Sequence, residues 1–95
     1  MVYEIEIEWA VVCAARAAGW FVAKLDFVET RGAPDRMFIK DGRVVFIEFK
    51  RPGGRLSGIQ KKMIRQLEAV GAEVHVAYST PEAMRVLGLG DGGTA

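Results

Sequence analysis

The sequence predicts an α/β (α+β) domain of element order αβββαβ with a short closing helix: a mixed sheet flanked by helices. Three observations carry this. An apolar helical run ends at Gly19, two β-rich runs meet at Asp41-Gly42, and a serine-capped helical run leads into one further strand. Ninety-five residues support one core and no second one. The folded domain is expected over residues 1–87, with GLGDGGTA at 88–95 as a disordered tail.

Residues 4–18 (EIEIEWAVVCAARAA) form the first helix, which Gly19 stops. From Trp9 to Ala18 only Arg16 interrupts the apolar surface, so this helix needs cover on more than one face. A second copy of the chain is one source of that cover. WFVAKLDFV (20–28) is rich in β-formers and reads as a strand, and ETRGAP (29–34) as a loop. DRMFIK (35–40) and RVVFIEFK (43–50) are two strands joined through Asp41-Gly42, the pair favoured in tight two-residue hairpins. After the loop PGGRLSG (52–58), Ser57 caps a helix that runs through Val70 and ends at Gly71. EVHVAY (73–78) is the fourth strand; Thr80 then caps a last helix with Pro81 at its first position.

The composition, 51% hydrophobic and 26% charged, is that of an ordinary globular protein rather than a disordered or fibrous one. No apolar run approaches the ~20 residues needed to cross a bilayer, which excludes a membrane partner of that kind. The acidic start MVYEIEIEW is unlike the basic start of an export signal. The single Cys13 excludes an internal disulfide and, between Val12 and Ala14, reads as a buried inert thiol. A cytoplasmic location is expected. The net charge of +1 conceals a local excess, because residues 50–65 hold six basic side chains and no acid. That stretch is a phosphate-binding stripe or simply a solvated helix face with a basic loop.

The chemistry follows from the hairpin register. If Asp41-Gly42 is a two-residue turn, Lys40 pairs with Arg43, and stepping back along both strands sets Asp35 opposite Glu48. Alternation puts Asp35, Met37 and Ile39 on one face with Val44, Phe46, Glu48 and Lys50. Two carboxylates so opposed, with Cβ atoms ~4.5–5.5 Å apart, repel each other. Lys50 supplies part of the compensating charge, and a hard divalent cation, Mg²⁺ or Mn²⁺, suits the oxygen donors. A strand-end salt-bridge cluster is the simpler alternative. Glu8 lies on the stripe of the first helix that faces the sheet; a carboxylate there needs a partner, and a shared metal is one. Ser57-x-x-Gln60 is a capping-box pattern, while Gln60, Met63, Ile64 and Leu67 share the inward face, so capping and active-site contact both stay open for Gln60. Lys61, Lys62 and Arg65 project from the other side. His75, between Val74 and Val76, reads as a surface strand residue, and Trp9 and Trp20 as core or interface anchors.

Taken in order, Glu8, then Gly32-Ala33-Pro34-Asp35, then Ile47-Glu48-Phe49-Lys50-Arg51-Pro52, then Leu56-Ser57-Gly58-Ile59-Gln60 resemble the PD-(D/E)xK nuclease superfamily. Within it they are similar to the VRR-Nuc family in its standalone, virus- and phage-type form, over residues 5–78. The distance from Glu8 to Gly19 also resembles that in archaeal Holliday-junction resolvases. The resemblance implies a restriction-endonuclease-like core and hydrolysis of DNA phosphodiesters leaving a 5′-phosphate. It implies that Glu8, Asp35 and Glu48, with the backbone carbonyl of Phe49, hold one or two Mg²⁺ or Mn²⁺ ions. Lys50 would orient or deprotonate the attacking water, and Gln60 would position Lys50 or the phosphate. Arg31, Arg51, Arg55, Lys61, Lys62 and Arg65 are the candidate DNA contacts. A homodimer formed through the apolar first helix and acting on four-way junctions is expected, in a prokaryotic or phage-infected cell. The same fold would also serve a nuclease for flaps, nicks or specific duplex sites, or a non-catalytic DNA-binding module. None of the five key positions departs from the family pattern.

Overall fold

The computed structural model describes residues 2–90. Its elements are α1 (Glu4–Ala17), β1 (Phe21–Lys24), β2 (Arg36–Lys40), β3 (Arg43–Phe49), α2 (Gly58–Ala69), β4 (Glu73–Ala77) and α3 (Thr80–Val86). The sheet order is β1-β2-β3-β4. The first two pairings are antiparallel, and β3 pairs with β4 in parallel after the α2 crossover. This is the expected mixed sheet flanked by helices.

Asp41 and Gly42 both take positive φ, 51° and 81°, as a tight hairpin turn with the strands' own twist requires. Lys40 therefore pairs with Arg43, and the register runs back to Arg36 opposite Ile47. One face of the sheet carries the main core: Val22, Phe38, Val45, Ile47, Phe49 and Ala77, packed under Ile7, Val11, Val12 and Ala15 of α1 and Ala83 of α3. Trp20, Phe38 and Phe49 meet edge to face, with centroids 6.5 and 6.4 Å apart. α2 lies on the other face, packed on β4 with Met63 and Val74 buried.

Several expectations change here. The strand expected over 20–28 is only Phe21–Lys24, with one further bond from Leu25 N to Asp35 O at 3.1 Å. Its partner strand β2 begins only at Arg36, and the Asp35 carbonyl makes the last bond to β1, so residues 26–28 lie beyond the paired stretch. α3 covers one side of α1 from within the chain, while Ile5 and Trp9 of α1 stay exposed. Cys13 is exposed rather than buried, because the core stripe of α1 runs through Ile7, Glu8, Val11, Val12 and Ala15 and Cys13 points away from it. Ser79, not Thr80, caps α3; its side chain accepts from Glu82 N at 3.2 Å.

Most of the expected tail, 91–95, lies outside the described residues. Of the three residues before it, Leu89 bonds back to Met84 O at 2.8 Å and packs on the core. At the far end of the sheet Arg43 binds Glu73 through two nitrogens, at 3.0 and 2.6 Å, and this holds the Glu73 carboxyl down to about 2. His75 joins the same cluster, 2.8 Å from Glu73, on the sheet face opposite Glu48.

Candidate active site

Asp35 and Glu48 come together because the hairpin register continues one step past Arg36–Ile47. Where β2 runs out, the Asp35 carboxylate replaces a ladder carbonyl, and Phe49 N donates to its Oδ2 at 2.8 Å. That bond fixes the side chain at the strand end. Glu48 is 4% exposed, and its Oε2 accepts from Gln60 Nε2 at 2.9 Å with Lys50 Nζ at 3.6 Å. Burial first, and then the charge of Asp35, push the Glu48 carboxyl up to about 7, with Lys50 opposing both. Asp35 is also raised, chiefly by burial; the Phe49 amide works against this, and Glu8 adds a further repulsion. The strand-end group is thus two mutually repelling acids with one ammonium whose charge offsets both.

Gln60 occupies both positions that its sequence context left open. Its Oε1 accepts from Ser57 N at 2.9 Å, and its backbone N donates to Ser57 Oγ at 3.1 Å, completing the capping box. Its Nε2 is left over and meets Glu48. The two ends of one amide therefore tie the start of α2 to the carboxylate on β3.

Glu8 is buried as expected, but its partner is Arg36, with Nε 2.6 Å from Oε2. α1 covers the Phe38 face of the sheet, and Arg36, two residues before Phe38 on β2, points to that face. Trp9 is not a core anchor: it is 49% exposed, with the Arg36 guanidinium 5.6 Å above its ring. Trp20 does lie in the core. Glu4 lies one turn before Glu8 on α1. It is half-buried, and its charge acts on both Asp35 and Glu48. Its i, i+4 spacing from Glu8 was the available signal.

Among the described residues no three carboxylate, histidine or cysteine side chains are gathered closely enough to cage an ion. The Asp35–Glu48 pair nonetheless fits a hard divalent cation. Both are oxygen donors, Glu48 buried and Asp35 half-buried, each has one oxygen tied by a protein donor, and each carboxyl is raised chiefly by burial. Arg31, Arg51, Arg55, Lys61, Lys62 and Arg65 are all exposed. Lys61 and Arg65 lie on the outward side of α2, away from Met63, whereas Lys62, expected with them, sits at the helix edge beside Ile59 and Met63. No helix among the described residues is long and apolar enough to cross a membrane.

Comparison with known proteins places the same stretch of chain in a known family. A family model described as "VRR-NUC domain" matches residues 20–81, a span that takes in Asp35, Glu48, Lys50 and Gln60 and leaves Glu8 outside. The chain is 31% identical over 80 residues to "Putative nuclease p44" of Acyrthosiphon pisum secondary endosymbiont phage 1, covering 83% of this chain and 86% of that protein. A solved structure of a "VRR_NUC domain" matches with a TM-score of 0.81 at 23% identity, over 90% of this chain and 94% of that one, which shows a shared fold. With most of its length matched by the family model and a phage relative of similar size, the chain belongs to the VRR-NUC domain family.

Proposed function

We propose that this chain is a Mg²⁺- or Mn²⁺-dependent, structure-selective DNA endonuclease, acting as a homodimeric Holliday-junction resolvase. The observation that carries the hydrolytic reading is the grouping of Asp35, Glu48, Lys50 and Gln60 at one strand end inside a VRR-NUC fold. Asp35 and Glu48, with the Phe49 carbonyl, would hold the cation, and Glu8 would serve as the third acid through the oxygen that Arg36 leaves free. The cation, when bound, supplies a water of lowered pKa and neutralises charge developing at the phosphate. Lys50 orients the attacking water and offsets charge on the phosphoryl oxygens. Gln60 keeps Glu48 turned into the site. The exposed cations around the loop 52–58 and on α2 receive the phosphate backbone.

The junction and dimer readings rest on less. Tyr3, Ile5 and Trp9 of the N-terminal segment are exposed apolar groups, 56%, 54% and 49% accessible, which suits contact with a second copy. A two-fold dimer carries two identical centres for two strands. The phage origin of one relative agrees with action in the cytoplasm of a prokaryotic or phage-infected cell.

The deciding experiment incubates the purified protein in Mn²⁺ with labelled four-way junction, flap and linear duplex, beside Lys50→Ala and Asp35→Ala. Paired symmetric nicks in the junction, lost in both variants, are expected. Flap or duplex cleavage alone moves the substrate, and no cleavage of any DNA at high protein concentration sinks the enzyme reading. A monomer mass in light scattering removes the dimer.

A further inference from the structure

Beside the catalytic group the loop between β1 and β2 and the helix α2 enclose a groove of ≈ 290 Å³. Its floor is apolar, made by Ile59 and by Met63, which is 7% exposed. Its rim is polar: Arg31 and Lys62 bring positive charge, Thr30 and Gln66 offer hydrogen bonds, and Glu29 adds a carboxylate. The wall is held in place rather than loosely hung. Gly32 has φ +91°, and a Cβ there would lie 2.8 Å from Ile59 Cγ2 and 2.9 Å from Ile59 O, so the loop rests directly on the first turn of α2. Ile59 precedes Gln60, whose amide reaches Glu48, and Arg31 precedes Asp35 by one short loop, so both walls of the groove run on along the chain into the catalytic group.

We propose that this groove takes one unstacked nucleobase of the DNA strand, next to the cleaved phosphate; the inference rests on the nuclease reading above. The volume lies at the lower end of the ~300–1,000 Å³ typical of small-molecule sites, room for a base and none for a duplex. Glu29 repels a phosphate inside the groove but accepts from a base amino or imino group, while Arg31 and Lys62 hold the flanking phosphates at the rim. The apolar floor suits the face of a planar ring, including a sulfur contact from Met63. Taking a base out of a stack costs a few kcal/mol, and least where it is already unpaired. The groove therefore selects DNA with unpaired or branched positions over plain duplex.

The test is a binding measurement in EDTA with labelled duplexes carrying one unpaired thymine, an abasic residue at the same position, or no bulge. Wild type should bind the thymine bulge about tenfold more tightly than the abasic one, the range of a single base contact. Gln66→Trp and Thr30→Trp, two exposed positions outside the catalytic group, should each fill the groove and bring that ratio to about one, with affinity for plain duplex kept and melting curves checking the fold. A wild-type ratio of one, or a ratio that survives both variants, overturns the proposal. Cleavage in Mn²⁺ run in parallel separates the two readings: cleavage without base preference sinks the groove alone. Preference without cleavage on any DNA sinks only the nuclease reading, and no DNA binding sinks both.

Discussion

Gln60 Nε2 donates to Glu48 Oε2 at 2.9 Å while the oxygen of the same amide closes the cap of α2. One side chain thus couples helix stability to the orientation of an active-site acid, and the two roles can be separated by mutation. Ser57→Ala removes the cap acceptor but leaves the Gln60–Glu48 bond. It should cost about 1 kcal/mol of stability and leave the cleavage rate within a few-fold of wild type. Gln60→Ala should cost a similar stability and lower the rate well beyond that. Urea melts beside single-turnover rates check the pair; equal rates in the two variants would show that the cap is Gln60's whole role.

The acids of the site are a stability cost to the metal-free protein. Glu48 sits at about 7 against an ordinary 4.5, raised chiefly by burial and next by Asp35. A folded-state value above the unfolded one means that the folded chain binds this proton more tightly. Its contribution is therefore full below pH 4.5 and is lost as the pH rises through about 7. Glu48→Gln keeps an acceptor for Gln60 and removes the charge. In EDTA the variant should match wild type near pH 4.5 and exceed it by a few kcal/mol at pH 8, of the order of the shift itself. Added Mn²⁺ should stabilise wild type and not the variant. A variant less stable than wild type at pH 8 would contradict this account.

Glu8 and Arg36 form a buried pair, 7% and 8% exposed, under the ring of Trp9. Removing one partner leaves an uncompensated charge in the core. Arg36→Met should therefore destabilise by about 3–5 kcal/mol, and Arg36→Met combined with Glu8→Leu should recover most of that loss. The double variant also isolates the catalytic question. If Glu8 serves only to neutralise Arg36, the refolded double variant cleaves at the wild-type rate; if it is the third acid, cleavage stays lost although stability returns.

The parts of this site that were legible in the sequence are those set by local rules. Asp41-Gly42 fixes one turn, the turn fixes the register, and the register brings Asp35 to Glu48 without any knowledge of the rest of the fold. Alternation then carries Lys50, and the Ser57-x-x-Gln60 spacing carries the cap. What was not legible depends on which face each helix covers. Once α1 is known to lie on the Phe38 face, Arg36 is the partner available to Glu8 and Cys13 is left outside, but helical periodicity alone does not choose that face. The length of β1 likewise depends on where its partner β2 begins, at Arg36, and not on the β-propensity of residues 25–28. The Ser79 cap was missed by one position because Thr80 is an equally good capping residue in isolation.

The outward face of α2 gives the last prediction. Lys61 and Arg65 are exposed, four residues apart on one helix, and neither has a carboxylate partner among the described ion pairs. Each is free to contact a phosphate, and a phosphate contact is seen in the salt dependence of binding rather than in sequence preference. Lys61→Ala and Arg65→Ala should each weaken affinity for every DNA tested by a similar factor and reduce the slope of log K against log salt by about one. The capping box and the Gln60–Glu48 bond lie on other atoms, so single-turnover rates at saturating protein should stay near wild type. A salt slope unchanged in both variants would remove α2 from the DNA interface and leave the loop 52–58, with Arg51 and Arg55, as its basic side.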